Sequence, residues 1–205
     1  MRDLEALLRA RLPDEPSGPP DLAVAAAREG LLDLAVGTTE TPVGRLVLAV
    51  AETGLVACSY QDEAAVTERL ARTVSPRVLR APRRLDPVRR ELDAYFAGRL
   101  QEFSVPVDLT LASPFGRAVL RALAQVPYGS TTTYGELAAR LGRPRAARAV
   151  GHALGANPVC VVVPCHRVVG SSGQLTGYAG GVAAKRLLLK LEGVLRDRDD
   201  SRETL

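Results

Sequence analysis

Apolar positions recur along this chain at two periods, and the change from one to the other divides it. Leu4, Leu7, Leu8 and Leu12 are spaced for one face of a short helix over 2–12. The stretch Pro13 to Pro20 breaks that helix and reads as a linker, and Asp21 is placed to cap a second short helix running to Arg28. Three short apolar-rich runs follow, at 32–38, 45–51 and 55–60. Pro42-Val43-Gly44 and Glu52-Thr53-Gly54 separate them, which predicts strands joined by hairpin turns. Helices are predicted over 62–73 and 86–97, with Gly98 closing the second, then a strand-like piece from Phe103 to Leu109. Beyond a boundary near Ala112 the pattern predicts helices at 114–125, 133–141 and 144–155, a strand at 159–163, an irregular segment, and a helix at 181–195. Gly142 stops one helix and Pro144 suits the first turn of the next, so this pair is a helix-turn-helix candidate.

The expected fold class is therefore α+β. A small N-terminal antiparallel-sheet domain with helices (31–112) precedes a mostly helical C-terminal domain (113–195) with the helix-turn-helix and the active-site strand. Residues 1–30 form an extension and linker, and 196–205 a polar tail.

With 205 residues, 46% hydrophobic and 24% charged, the composition is that of a globular protein able to bury a sizeable core. Its longest apolar runs are too short to span a bilayer. An N-terminus carrying Arg2, Asp3, Glu5 and Arg9 does not read as a secretory signal, so the expected location is the cytoplasm. Three cysteines (Cys58, Cys160, Cys165) would be kept reduced there, and their number and spacing suggest neither disulfides nor a metal knuckle. The net charge of +4 conceals an asymmetry: −3 up to Ala112, +8 from Ser113 to Leu195, and −1 in the last ten residues. A half this basic points to a polyanion.

In the second helix of the candidate pair, Ala146, Val150 and Leu154 share one face at about 100° per residue. Arg148 lies roughly opposite, with Gly151, His152 and Gly155 as outward neighbours. Glycine costs a helix interior about 0.5–1 kcal/mol against alanine. Two beside one arginine suggest a surface that admits another backbone.

The chemistry concentrates in residues 157–181, NPVCVVVPCHRVVGSSGQLTGYAGG. Cys165, a strong nucleophile as thiolate, adjoins His166, a candidate base, although neighbouring strand residues point to opposite faces and a bridging water serves as well as direct contact. Glu192 falls on the apolar stripe of the final helix with Ala184, Leu188, Leu191 and Leu195, and is the sole acidic residue between Gly151 and Leu195. A carboxylate there needs a partner, and His166 is the obvious one. Cys58 and Cys160 have no adjacent base and are assigned to packing. The N-terminal half has no histidine and shows no sign of chemistry. On these residues alone, a cysteine hydrolase and a non-catalytic DNA-binding regulator both stay open.

Pro164-Cys165-His166-Arg167-Val168-Val169, with Asn157-Pro158 before it and Gly177-Tyr178-Ala179-Gly180-Gly181 after it, resembles the O6-alkylguanine-DNA alkyltransferases. Tyr134, the run Ala146-Ala147-Arg148-Ala149-Val150-Gly151 and Glu192 match that family at matching spacing, and the resemblance covers roughly Leu31 to Leu195. It implies stoichiometric transfer of an alkyl group from O6 of guanine, with O4-alkylthymine a second candidate, onto Cys165 without any cofactor or metal. It also implies a Glu192–His166–water–Cys165 network, Tyr134 donating to the departing base, and Asn157 holding recognition helix and nucleophile in register. Backbone groups at Cys165, Val168, Tyr178 and Ala179 would contact the base. Arg148 would fill the space of a flipped nucleotide, with Ala146, Ala147, Gly151 and Ser171 against the minor groove of double-stranded DNA, the free protein being monomeric. Against the family's pattern, Ala179 stands where serine is frequent, Leu120 where tryptophan is, and Gly116 where glutamine is.

Overall fold

A computed structural model describes residues 25, 26 and 29–196. The predicted helix at 2–12, most of that at 21–28 and nearly all of the tail lie outside them.

The meander forms from the three apolar-rich runs and their turns. Strands β1 (Leu34–Thr39), β2 (Leu46–Ala51) and β3 (Gly54–Ser59) pair antiparallel in sequence. Period-2 side chains then part to two faces. Leu34, Val36, Val47 and Ala49 pack with Val66 and Leu70 of helix α1 (Glu63–Thr73). Ala35, Leu46, Leu48, Leu55 and Cys58 face the other way, into a core shared with Val88, Leu92 and Tyr95 of α2 (Asp86–Phe96) and with the C-terminal half.

The sheet is not purely antiparallel. A three-residue strand, β4 (Val78–Arg80), lies parallel beside β1, giving the order β3-β2-β1-β4. At three residues and half-exposed, it carries too little alternation to be read from sequence. The predicted strand over 103–109 reduces to one bridge, Leu55 to Val107. Pro106 has no N–H to extend a ladder; its carbonyl accepts from Leu55 N–H at 2.8 Å. Gly54 makes this approach possible, since a Cβ there would sit 2.3 Å from the Pro106 oxygen.

In the C-terminal half, α3 (Pro114–Ala124) is capped by the Ser113 hydroxyl, which accepts from Gly116 N–H. Helix α4 (Tyr134–Arg140) opens on a reciprocal capping box between Thr133 and Glu136. Gly142, at φ +69°, ends it in a Schellman motif: Gly142 N–H donates to Ala139 and Arg143 N–H to Ala138. The next helix, α5 (Ala147–Gly155), starts three residues later than expected, because Arg143 to Ala146 close a turn (Ala146 N–H to Arg143 O, 2.8 Å) and Pro144 lies in it. Helices α3, α4 and α5 pack on one another.

Two further expectations are corrected. The final helix α6 (Gly181–Leu191) stops at Leu191, because Gly193 adopts φ +75° and caps it by the same Schellman bonds, Gly193 to Lys190 and Val194 to Leu189. Residues 159–163 are not a strand. They form a buried irregular turn whose only ladder contact is Cys58 with Val159; a short apolar run does not distinguish the two. Near the site, β5 (Thr132–Thr133) and β6 (Val168–Val169) form a two-residue parallel ladder.

Candidate active site

Two tight reversals build the site. Val161 sits at φ +70°, the one non-glycine residue at positive φ among those described, and Val162 N–H donates back to Cys160 O at 2.9 Å. This is the rare, strained kind of γ-turn, and a β-branched residue there costs on the order of 1–3 kcal/mol. Pro164 (φ −82°, ψ 62°) centres an inverse γ-turn, with Cys165 N–H donating to Val163 O at 2.8 Å. Cys165 then opens a single 3-10 turn through Arg167, so this cysteine lies on a turn and not on the strand expected for it.

The Cys165 sulfur is nearly enclosed, the residue keeping 8% exposure. Asn157 reaches it from the end of α5: its side-chain N–H donates to Sγ at 3.2 Å and to Val163 O at 3.0 Å, while Oδ1 accepts from Val159 N–H. Asn157 thus ties the end of α5 to the turn that carries Cys165. Cys160 is the second neighbour, its thiol donating to the Asn157 carbonyl at 3.6 Å. Donation from Cys160 outweighs burial and, with the Asn157 amide and the Lys185 charge, holds the Cys165 pKa below the ordinary thiol value.

His166 and Arg167, next in the chain, enter a buried polar cluster. His166 Nε2 and Glu192 Oε1 are 2.9 Å apart, and both residues are buried. Arg167 grips the same carboxylate with two N–H groups at 2.9 Å and donates a third to Val126 O. Tyr95 O–H donates to Oε1 at 2.7 Å and Gly129 N–H to Oε2 at 3.5 Å. Burial alone would raise the Glu192 pKa; the donors from His166 and Arg167 outweigh it and bring the carboxyl down to about 2. Burial depresses the His166 pKa, so the ring is neutral near pH 7. Since ionised Glu192 accepts, Nε2 is assigned the proton, and Nδ1, buried with no hydrogen-bond partner, is left as an acceptor.

The remaining expected residues surround this core. The Tyr134 ring lies over Gly151, where a Cβ would be 3.5 Å from it, so Gly151 seats that ring and does not lie open. Tyr134 hydroxyl bonds Thr176 Oγ1 at 2.6 Å, joining α4 to the loop after β6. Arg148, His152, Ser171 and Ala179 are exposed, Ala146 and Ala147 half-buried. Arg140, Arg143 and Arg145 are exposed beside Arg148. The Val168 carbonyl accepts from Lys185 Nζ at 2.5 Å. Tyr178 meets the His166 ring edge-on, at 6.3 Å between centroids.

Four contributors escaped the sequence reading. Arg167 and Lys185 are buried cations whose nearest signal is an apolar neighbourhood, valines around Arg167 and the α6 stripe around Lys185. Tyr95 and Tyr60 come from the half assigned no chemistry. Tyr60 O–H lies 3.3 Å from Tyr178 O–H, and its ring fills the place a Cβ on Gly180 would take. Both tyrosines sit in apolar runs that read as packing, and their partners are 97 and 118 residues away.

A four-stranded sheet and a helical half that share one core, with Cys165, His166 and Glu192 buried, define a class: the chain belongs to the 6-O-methylguanine DNA methyltransferase family. The family's ribonuclease-like domain matches residues 34–109, and its DNA binding domain residues 114–194. Among curated proteins it is 46% identical over 155 residues to a methylated-DNA–protein-cysteine methyltransferase of Mycolicibacterium paratuberculosis, covering 76% of this chain and 90% of that protein. Among solved structures it is similar to the Mycobacterium tuberculosis O6-methylguanine methyltransferase (TM-score 0.68, 40% identity, 80% of this chain and 96% of that one). The Mycobacterium tuberculosis OGT solved in complex with DNA gives a TM-score of 0.66 at 44% identity, over 76% of this chain and 90% of that one.

Proposed function

We propose that this chain repairs DNA by taking a methyl or other alkyl group from O6 of guanine onto its own Cys165, once and irreversibly. The observation that carries the reading is the setting of that sulfur: a thiol held by the Asn157 N–H at 3.2 Å, its pKa lowered, beside a neutral imidazole with a free acceptor nitrogen. His166 Nδ1 takes the thiol proton through a bridging water, and Glu192 stabilises the imidazolium that forms. The thiolate attacks the alkyl carbon in line. The S–C bond forms as the C–O bond breaks, and the electron pair leaves with guanine, whose charge Tyr134 O–H neutralises by donating to the ring. To do so, the hydroxyl exchanges its Thr176 partner for the base. The product is a thioether with no good leaving group, so no second turnover follows. O4-alkylthymine presents the same ether on a smaller base and is a second substrate.

A stacked base must be extruded first, at a cost of a few kcal/mol. Arg148 enters the vacated stack from the minor groove, and Arg140, Arg143 and Arg145 make phosphate contacts that are salt-sensitive and largely blind to sequence. The test mixes the protein with duplex DNA carrying one O6-methylguanine and reads intact mass. One added CH2 on Cys165, complete at one equivalent and absent in Cys165→Ala, is expected. Repeated turnover would indicate a hydrolase, and lesion binding without covalent change a regulator; either contradicts the proposal. Arg148→Ala should slow duplex repair at least about tenfold more than reaction with free benzylated guanine.

A further inference from the structure

We infer that Cys160 is a resolving thiol for Cys165, and that a hydroperoxide converts the two into an internal disulfide that reversibly closes the site. Four residues lie between the cysteines, and the reversals at Val161 and Pro164 fold that segment back on itself. Asn157 binds both, its side-chain N–H on the Cys165 sulfur at 3.2 Å and its carbonyl on the Cys160 thiol at 3.6 Å. The two buried sulfurs also influence each other's ionisation. A cavity of about 160 Å³, lined by Asn157, Tyr60 and Ala179 among others, opens against Cys160. The third thiol, Cys58, is also buried nearby, but β3 holds it in the sheet.

The chemistry balances with hydroperoxide as the oxidant. The Cys165 thiolate attacks one peroxide oxygen, the O–O bond breaks, and the products are a sulfenic acid and hydroxide (or an alkoxide). The Cys160 sulfur then attacks the Cys165 sulfur, the S–O bond breaks, and water leaves. Overall, two thiols lose two electrons and two protons, and the peroxide is reduced to water. Without a resolving thiol the sulfenic acid goes on to sulfinic acid, which reductants do not reverse. The thiol chemistry stands on the pair itself. Its consequence for repair rests on the reading of Cys165 as the alkyl acceptor.

The experiment treats the whole protein with hydrogen peroxide, quenches with iodoacetamide and digests with trypsin. Cys160 and Cys165 fall in one peptide, Ala149–Arg167, and Cys58 in another, Leu46–Arg69. The first should become two hydrogens lighter and refuse iodoacetamide until reduced, then take two equivalents. Capacity to accept a methyl group from O6-methylguanine DNA should fall and return in parallel, and protein already methylated on Cys165 should give no lighter peptide. In Cys160→Ala the peptide should gain two oxygens, and dithiothreitol should restore none of the lost capacity. If the wild-type peptide gains oxygens with no lighter form, the inference is overturned. A lighter peptide in a protein that takes no methyl group would sink the functional reading and leave the disulfide standing; methyl uptake with no lighter peptide would do the reverse.

Discussion

The sheet half pairs its charges at the surface, and the helical half pairs them in the interior. Arg80 meets Glu63 in a two-pronged contact at 2.7 and 2.8 Å, Arg77 meets Asp33 at 2.9 Å, and Arg72 meets Glu68 at 3.5 Å, with every arginine head in water. Glu192 and Arg167 are joined at 2.9 Å as well, yet both are buried, along with His166 and Tyr95. Identical bond lengths therefore have unequal consequences. Exposed pairs contribute about 0–1 kcal/mol, whereas breaking a buried pair leaves a desolvated charge without compensation. Buried polar groups are costly to retain, and here they converge on the Glu192 carboxylate.

Glu192→Gln should sharpen that contrast most. It keeps the shape but strands the Arg167 guanidinium, and we expect a loss of about 3–5 kcal/mol in urea-unfolding stability. The pH dependence comes next. Glu192 titrates at about 2 when folded against an ordinary 4.5, and His166 below its ordinary 6.5, so in both windows the unfolded chain binds more protons. Stability is then fully present above pH 6.5 and falls as pH falls, gently at first and more steeply from 4.5 toward 2, the Glu192 part being on the order of 3 kcal/mol. Unfolding midpoints measured across that range check this, and Glu192→Gln should flatten the lower branch. Arg80→Ala should have the smallest effect, within about 1 kcal/mol and weaker still in high salt. A loss as large as that of Glu192→Gln would erase the distinction between the halves.

Local chemistry explains what the sequence made legible. The meander follows from three apolar-rich runs parted by turn-forming residues, and the closing glycines Gly98 and Gly142 from their tolerance of positive φ. Gly193 carries the same signal but was passed over, because the apolar stripe runs on to Leu195. The Cys165–His166–Glu192 set could be read because a cysteine beside a histidine and a single acid on an apolar stripe both need explaining. What escaped depends on distance in sequence or on backbone strain. Nothing near Tyr95 announces a carboxylate 97 residues away, and no pattern marks Val161 as the residue forced to positive φ. Lys185 carried a faint signal, being one of two lysines among 27 cations and lying on a face that must be buried.

The two thiols Cys58 and Cys165 put the central claim to its most direct test. Both are buried, but desolvation pushes Cys58 up to about 12, while the donors around Cys165 bring it below its ordinary 9.0. The measurement is thiolate absorbance against pH, taken as the difference between wild type and Cys165→Ala. Half-ionisation of Cys165 below pH 9.0 is the predicted result; ionisation at or above that value would contradict the account.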